Sequence, residues 1–197
     1  MQKDDYNSID LDFKDSIQEL INIGLGKAAK VISELADSYV TLGVINLYPS
    51  KAIPQLPVFS SYVVVQEVSG NILNGKTVFS MIDDELIKLL KHLELIDSDY
   101  DHLGIQNLDL ILDAYQEIGN IILGNIISSI VDYIDERVEI KLPYLSDKKI
   151  FDAKDETTYI IVEISFTIDK LNANGNLCLI NDLSSYEQLA QKLINQE

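Results

Sequence analysis

A carboxylate and a carboxamide stand one helical turn apart in the segment "YQEIGNIILGN", residues 115–125. They belong to Glu117 and Asn120, and Asp113 lies one turn before Glu117. With about 3.6 residues per turn, these side chains share one side of a helix and can enter one cleft. The segment contains no His, Cys or Lys and no glycine spacing that holds a nucleotide. Its polar groups suit hydrogen bonding to a water or to another protein.

The same arrangement occurs 98 residues earlier, in the segment "DSIQELINIGLGK". Both copies follow the pattern Asp-x3-Glu-x2-Asn-x3-Gly, formed by Asp15, Glu19, Asn22 and Gly26 in the first copy and Asp113, Glu117, Asn120 and Gly124 in the second. These positions lie within an arc of about 60° on a helix. One alternative is that each stripe is an ordinary solvated helix face. Such faces vary among Lys, Glu, Gln and Ser, so this alternative explains one copy better than two. A second alternative is that an internal duplication preserved the pattern passively in both copies.

Apolar residues with helical spacing oppose each polar stripe. In the first helix they are Ile17, Leu20, Ile21, Ala28, Val31, Ile32 and Leu35, and in the second Tyr115, Ile118, Gly119, Ile122 and Ile126. The stripes are therefore predicted to face solvent, and Gly26 and Gly124 leave room for another protein's backbone. Ile23 and Ile121 flank the stripes; they are candidate partner-binding residues unless neighbouring loops cover them.

Strands are predicted at residues 57–69 and 157–168, which are rich in β-branched and aromatic residues. Asn-Gly pairs at 74–75 and 174–175 predict hairpin turns. Short amphipathic helices are expected after each hairpin.

A second match, between residues 74–93 and 174–193, extends the repeat at an offset of 100. The 197 residues are thus predicted to form a single domain of two repeats, about 10–95 and 108–195, joined by a loop at 96–107. The predicted fold is α+β with pseudo-two-fold symmetry, in which two long helices pack on a sheet of about six strands. One repeat alone cannot cover both faces of its sheet.

The formal charge is −17, from 32 acidic and 15 basic residues. This sign disfavours nucleic acid and an anionic membrane surface, and it is compatible with a basic protein partner or with solubility alone. The start of the chain carries no apolar signal region, and the apolar stretch at 118–131 is too short to span a bilayer. The single cysteine, Cys178, excludes a disulfide framework and suits a cytoplasmic location.

No metal site is expected in this chain. Asp97, Asp99 and Asp101 resemble the start of an EF-hand loop, but His102 replaces the required glycine and Leu108 replaces the required glutamate. We interpret this segment as an acidic connecting loop.

The second helix resembles the CheC/CheX/FliY family of chemotaxis phosphatases. The signature of that family is Asp or Ser, three residues, Glu, two residues, Asn, about 22 residues and Pro. Asp113, Glu117, Asn120 and Pro143 match it throughout, so Pro143 is a predicted structural member of the motif. The resemblance covers nearly the whole chain and is closest to CheC, whose members also carry two copies.

The first copy departs from the signature. Ile45 stands where the proline is expected, the nearest proline is Pro49, and Ile21 replaces the glycine that precedes the Asn. We therefore predict that the second site is the more active.

The resemblance implies hydrolysis of the aspartyl phosphate on a CheY-type response regulator, which would supply the Mg²⁺ and a lysine, so this chain needs no cofactor of its own. It implies that Asn22 and Asn120 orient the attacking water and that Glu19 and Glu117 pair with the lysine. Asp15 and Asp113 would aid docking.

Two alternatives stay open. One is a non-catalytic CheC-like adaptor that binds a response regulator or a CheD-type deamidase. The other is a structural component of the flagellar switch, as FliY-like proteins are.

Overall fold

The computed structural model describes residues 11–51, 62–96, 108–147 and 158–194. The elements in these ranges are α1 (Leu11–Ala36), β1 (Val40–Ser50), β2 (Tyr62–Ser69), β3 (Gly75–Met81), α2 (Asp83–His92), α3 (Leu108–Ile134), β4 (Glu139–Ile140), β5 (Tyr144–Asp147), β6 (Tyr159–Ile168), β7 (Ala173–Asp182) and α4 (Leu183–Ile194). The predicted α+β class, with long helices α1 and α3 and short helices α2 and α4, is confirmed. The predicted connecting loop and its EF-hand-like aspartates lie outside the described residues.

The seven described strands form one antiparallel sheet in the order β1-β6-β7-β3-β2-β4. β5 also pairs with β2, so β4 and β5 share one edge position and are separated only by residues 141–143. The sheet therefore has seven strands in six positions, where the sequence predicted about six strands.

The strand order is palindromic. β3 and β7 pair at the centre, β2 and β6 flank them, and the strand after each long helix forms an edge. β1 pairs with β6, and β4 and β5 pair with β2, so each half of the chain completes the sheet of the other half. This exchange produces the pseudo-two-fold arrangement.

The main core lies between the sheet and the long helices. Tyr115, Ile118, Ile122 and Ile126 of α3 are buried as predicted. Gly119 faces β2, where an added Cβ would lie 2.6 Å from a methyl carbon of Val64, so glycine lets helix and strand approach closely.

The described part of the corresponding face of α1 also packs inward, and the side chains of Ile17 and Leu20 lie outside the described residues. Ile21 and Ile32 lie in the core, whereas Val31 and Leu35 are half-buried. Gly24 faces α3, where an added Cβ would lie 3.3 Å from Cγ1 of Ile130, so a small residue brings the two helices together.

A second apolar cluster lies on the opposite face of the sheet, formed by Val63, Val65, Val78, Ile161, Cys178 and Ile180. Cys178 is a buried free cysteine, and burial raises the pKa of its thiol.

Neither Asn-Gly pair forms the predicted hairpin turn. Asn74 is the last residue of the connection between β2 and β3 and Gly75 already pairs with Val68, whereas residues 174–175 lie inside β7. The β6–β7 turn is instead a 3-10 turn at Asp169–Leu171, followed by Asn172 with a φ of 46°. Asn tolerates this left-handed conformation better than most residues.

The apolar stretch at 118–131 is too short to span a bilayer, but the whole of helix α3, 27 residues, is long and apolar enough to do so by length and composition. Half of its most apolar window is buried inside the fold, however, as in the core helix of a globular domain. Its hydropathy is explained by the contacts with the sheet and with α1.

Candidate functional site

The second polar stripe lies on the first half of α3. Asp113 and Glu117 are exposed, whereas Asn120 is half-buried, although we predicted full exposure. Helical geometry places Asn120 nearer to the sheet than Glu117, because Asn120 aligns with Gln116, which contacts the sheet edge. Asn120 still lies outside the core, and all three side chains are reachable by a partner.

The first stripe is presented in the same way. Glu19 and Asn22 are exposed on α1, and the side chain of Asp15 lies outside the described residues. Ile23 and Ile121 are both half-buried, so each still offers some apolar surface beside its stripe.

The glycines that end the stripes have open space beside them. A Cβ added to Gly26 or to Gly124 would meet no atom within 4 Å among the described contacts. Neither glycine is therefore required by packing against the described residues, unlike Gly119. The prediction that a partner's backbone approaches at these glycines stays a prediction.

One contact joins the second stripe to the edge of the sheet. The side-chain amide of Gln116 donates a hydrogen bond from Nε2 to the carbonyl oxygen of Pro143 at 2.8 Å. Pro143 is buried and lies in the gap between β4 and β5. Because proline has no N–H, it cannot continue the ladder with β2, which favours an interruption here. The edge strand is thereby fixed against the helix that carries Glu117 and Asn120.

The strand after the first helix is irregular at the equivalent place. β1 shifts register between Leu42 and Ile45, and Gly43 in this shift leaves no room for a Cβ beside Ser165. Residues 43–45 correspond to residues 141–143 at the offset of 98. Both halves thus break the edge strand beside the stripe, one with a glycine-containing irregularity and the other with a proline. Pro49, the nearest proline to the first copy, lies on edge strand β1 beyond this break.

An ionic cluster ties the second break to the sheet. Nζ of Lys141 lies 2.8 Å from Oε2 of Glu67, and Nζ of Lys76 lies 3.3 Å from Oε1. The hydroxyl of Tyr144 donates to the same Oε1 at 3.3 Å. The hydrogen bond from Lys141 lowers the pKa of Glu67, burial partly opposes this, and Lys76 adds to the lowering.

Sequence reasoning missed Gln116 and Glu67. Gln116 has a counterpart, Gln18, at the offset of 98, and this identity was the available signal. The role of Glu67 had no such signal, because it depends on which strands become neighbours.

Within the described ranges, no group of three or more His, Cys, Asp or Glu side chains is placed to hold a metal ion. The arrangement offers a carboxylate, a carboxamide and open helix surface. A carboxylate can accept hydrogen bonds from a cationic group and a carboxamide can bond to water, and here both lie on open helix surface rather than in an enclosed pocket.

No protein-family model and no curated protein sequence matches this chain. Several solved structures do match. FliY from Thermotoga maritima gives a TM-score of 0.69 at 17% sequence identity, covering 96% of this chain and 100% of that chain. A chain of the CheX-CheY-BeF3-Mg²⁺ complex from Borrelia burgdorferi gives 0.60 at 14% identity, covering 82% and 97%.

The FliM middle domain from H. pylori gives a TM-score of 0.62 at 12% identity, covering 93% of this chain and 99% of that chain. CheC-like proteins from Shewanella are also similar in structure. The resemblance that the two motifs predicted is thereby confirmed at the level of the fold, and the chain has the fold of the FliY, CheX and CheC-like chemotaxis proteins.

Proposed function

We propose that this protein is a phosphatase that hydrolyses the aspartyl phosphate of a CheY-type response regulator in the cytoplasm. The observation that carries the proposal is the pair Glu117 and Asn120, solvent-accessible one turn apart on α3 beside the strand break that holds Pro143. The repeat of this pair as Glu19 and Asn22 on α1 adds support. So does the fold, since one structure with this fold is of a complex that contains CheX and CheY.

The chemistry suits a protein without a nucleophile of its own. An acyl phosphate is already reactive, and catalysis of phosphoryl transfer is largely positioning and charge stabilisation. The carboxamide oxygen of Asn120 would accept a hydrogen bond from a water placed in line behind phosphorus. That water forms the new P–O bond while the bond from phosphorus to the aspartyl oxygen breaks. The products are inorganic phosphate, which retains the oxygen of the water, and a free aspartate carboxylate on the regulator.

Glu117 would bind the lysine ammonium of the regulator and so fix the position of Asn120 over the phosphoryl group. A carboxylate suits this role because a charge-assisted hydrogen bond is directional and stronger than a neutral one. The carboxamide suits the water because it is uncharged beside a phosphoryl dianion. Any Mg²⁺ in the reaction would belong to the regulator, where it stabilises charge on the phosphoryl oxygens.

The test measures dephosphorylation of CheY-type receiver proteins from the source organism, each phosphorylated with acetyl phosphate. We expect wild-type protein to shorten the lifetime of one of them, and Asn120→Ala to remove most of this activity. Asn125→Ala is the matched control: Asn125 is an exposed asparagine on the same helix, and its amide donates only to the carbonyl of Ile121 among the described contacts. Equal loss in the two variants would contradict the proposed role of Asn120.

The adaptor alternative makes a different prediction for the same assay. The fold alone does not separate the two functions, because the similar structures share only 10–17% sequence identity with this chain. A regulator that binds to the stripe but keeps its phosphoryl lifetime would establish an adaptor. A CheD-type deamidase is a second predicted partner, which purified CheD from the same organism would test.

A further inference from the structure

Exposed apolar side chains are concentrated around the second stripe. Eight large apolar side chains are exposed in the described part of the chain. Five of them lie on the first turn of α3 or on the interrupted edge strand, and these are Leu108, Leu110, Ile140, Leu142 and Tyr144. Leu142 is 85% exposed and Leu110 is 52% exposed. Single exposed leucines are ordinary on protein surfaces, but a group beside one polar site indicates a contact surface.

Two of these leucines, Leu110 and Leu142, lie beside the stripe. Leu110 precedes Asp113 by three residues and Glu117 by seven, so all three project from the same side of α3. Leu142 immediately precedes Pro143, whose carbonyl is bonded to Gln116 on the other flank of the stripe. The elements that carry the second stripe thus also carry exposed apolar side chains, Leu110 on the helix and Leu142 on the sheet edge next to Pro143.

The first stripe lacks these two leucines. At the offset of 98, Asp12 stands where Leu110 stands, and the smaller Val44 stands where Leu142 stands. The two stripes thus share their polar residues and differ in the apolar residues beside them.

We propose that Leu110 and Leu142 are the docking residues that direct a response regulator to the second stripe. This inference rests on the proposed function. The occupant is the face of the receiver domain around the phosphorylated aspartate, which would need apolar side chains opposite the leucines and positive charge opposite Asp109, Asp113 and Glu117, all exposed on α3. The formal charge of −17 makes such a basic surface the complementary one.

Each leucine would contribute to the binding affinity by being buried against the regulator. Complete burial of a leucine side chain corresponds to roughly a tenfold or larger gain in affinity. The first stripe has Asp12 in the sequence position of Leu110 and so has no leucine there to bury. The second stripe is therefore expected to bind first and more tightly.

The experiment measures binding of a CheY-type receiver protein of the source organism, loaded with beryllofluoride and Mg²⁺, by calorimetry. The variants are Leu110→Asp, which installs the residue type of the first stripe, and Leu142→Ser. Tyr39→Ser is the control, because Tyr39 is a large exposed side chain, 74% exposed, that precedes β1 at the opposite edge of the sheet. Thermal melts establish that each variant is folded.

We expect one tight site per chain in the wild type, about tenfold or more weaker binding for each leucine variant, and no change for Tyr39→Ser. In the phosphatase assay the leucine variants should raise KM and leave kcat unchanged. Wild-type affinity in both folded leucine variants would overturn the docking inference while the phosphatase proposal stands. Two equal sites per chain would also overturn it. Failure of the wild-type protein to bind or dephosphorylate any receiver would overturn the proposed function itself.

Discussion

The side chain of Gln116 on α3 donates a hydrogen bond to the carbonyl oxygen of Pro143, at 2.8 Å. This contact connects the helix that carries Glu117 and Asn120 to the interrupted edge strand. A proline by itself restricts only its own backbone. The hydrogen bond from Gln116 also fixes the position of Pro143 relative to the proposed catalytic pair.

Gln116→Leu should therefore lower both stability and turnover. The buried Pro143 loses the donor to its carbonyl, which costs about 1–3 kcal/mol of unfolding free energy. A displacement of about 1 Å can cost on the order of 10²-fold in rate when catalysis is positional. Urea unfolding and regulator dephosphorylation measure the two effects. Gln18→Leu, at the exposed equivalent position on α1, is the control and should change stability by no more than about 0.5 kcal/mol.

The glycines of α3 should respond in opposite directions to alanine. Gly119→Ala places a Cβ against Val64 and should destabilise the fold by about 1–3 kcal/mol. Gly124→Ala enters open space and should stabilise the helix by about 0.5–1 kcal/mol. If a partner's backbone approaches at Gly124, the same substitution weakens regulator binding. Stabilisation with unchanged binding would show that this glycine has no docking role.

The Glu67 cluster predicts a dependence of stability on pH. The pKa of Glu67 is lowered in the folded protein, so its contribution is present above the unfolded-state pKa of about 4.3 and is lost as pH falls through the lower folded value. Glu67→Gln should therefore destabilise the protein at pH 7, and the difference from wild type should shrink in acid. Thermal melts between pH 7 and pH 3 measure this. A constant difference across that range would contradict it.

The two proposed sites should be unequal. Asn120→Ala should remove most activity and Asn22→Ala less, because the first site lacks Pro143's counterpart and the flanking leucines. Stability should change by only about 0.5 kcal/mol in either variant, since neither side chain lies in the core. Dephosphorylation rates of the single and double mutants give the ranking. A larger loss from Asn22→Ala would show that the proline spacing does not identify the working site.

Much of this arrangement could be predicted from local patterns. Helical periodicity placed Tyr115 and Ile122 inward and Glu117 outward, because one face of each long helix must be buried. The repeat predicted that the two helices carry equivalent stripes.

Features that depend on distant pairing could not be predicted in the same way. The residues of β1 do not identify β6, more than a hundred residues away, as its neighbour. The Asn-Gly at 174–175 lies inside β7 because residues 169–172 already make the turn. The hydrogen bond between Gln116 and Pro143 could not be predicted either, because it depends on the edge strand lying beside the helix.

The most direct measurement is the amount of phosphate released per molecule of this protein from a phosphorylated CheY-type regulator, with the regulator in large excess. The proposed function predicts many phosphates released per molecule within one spontaneous lifetime of the phosphorylated regulator, and loss of most of this turnover in Asn120→Ala but not in Asn125→Ala. Release at the spontaneous rate, with the regulator demonstrably bound to wild-type protein, would contradict catalysis.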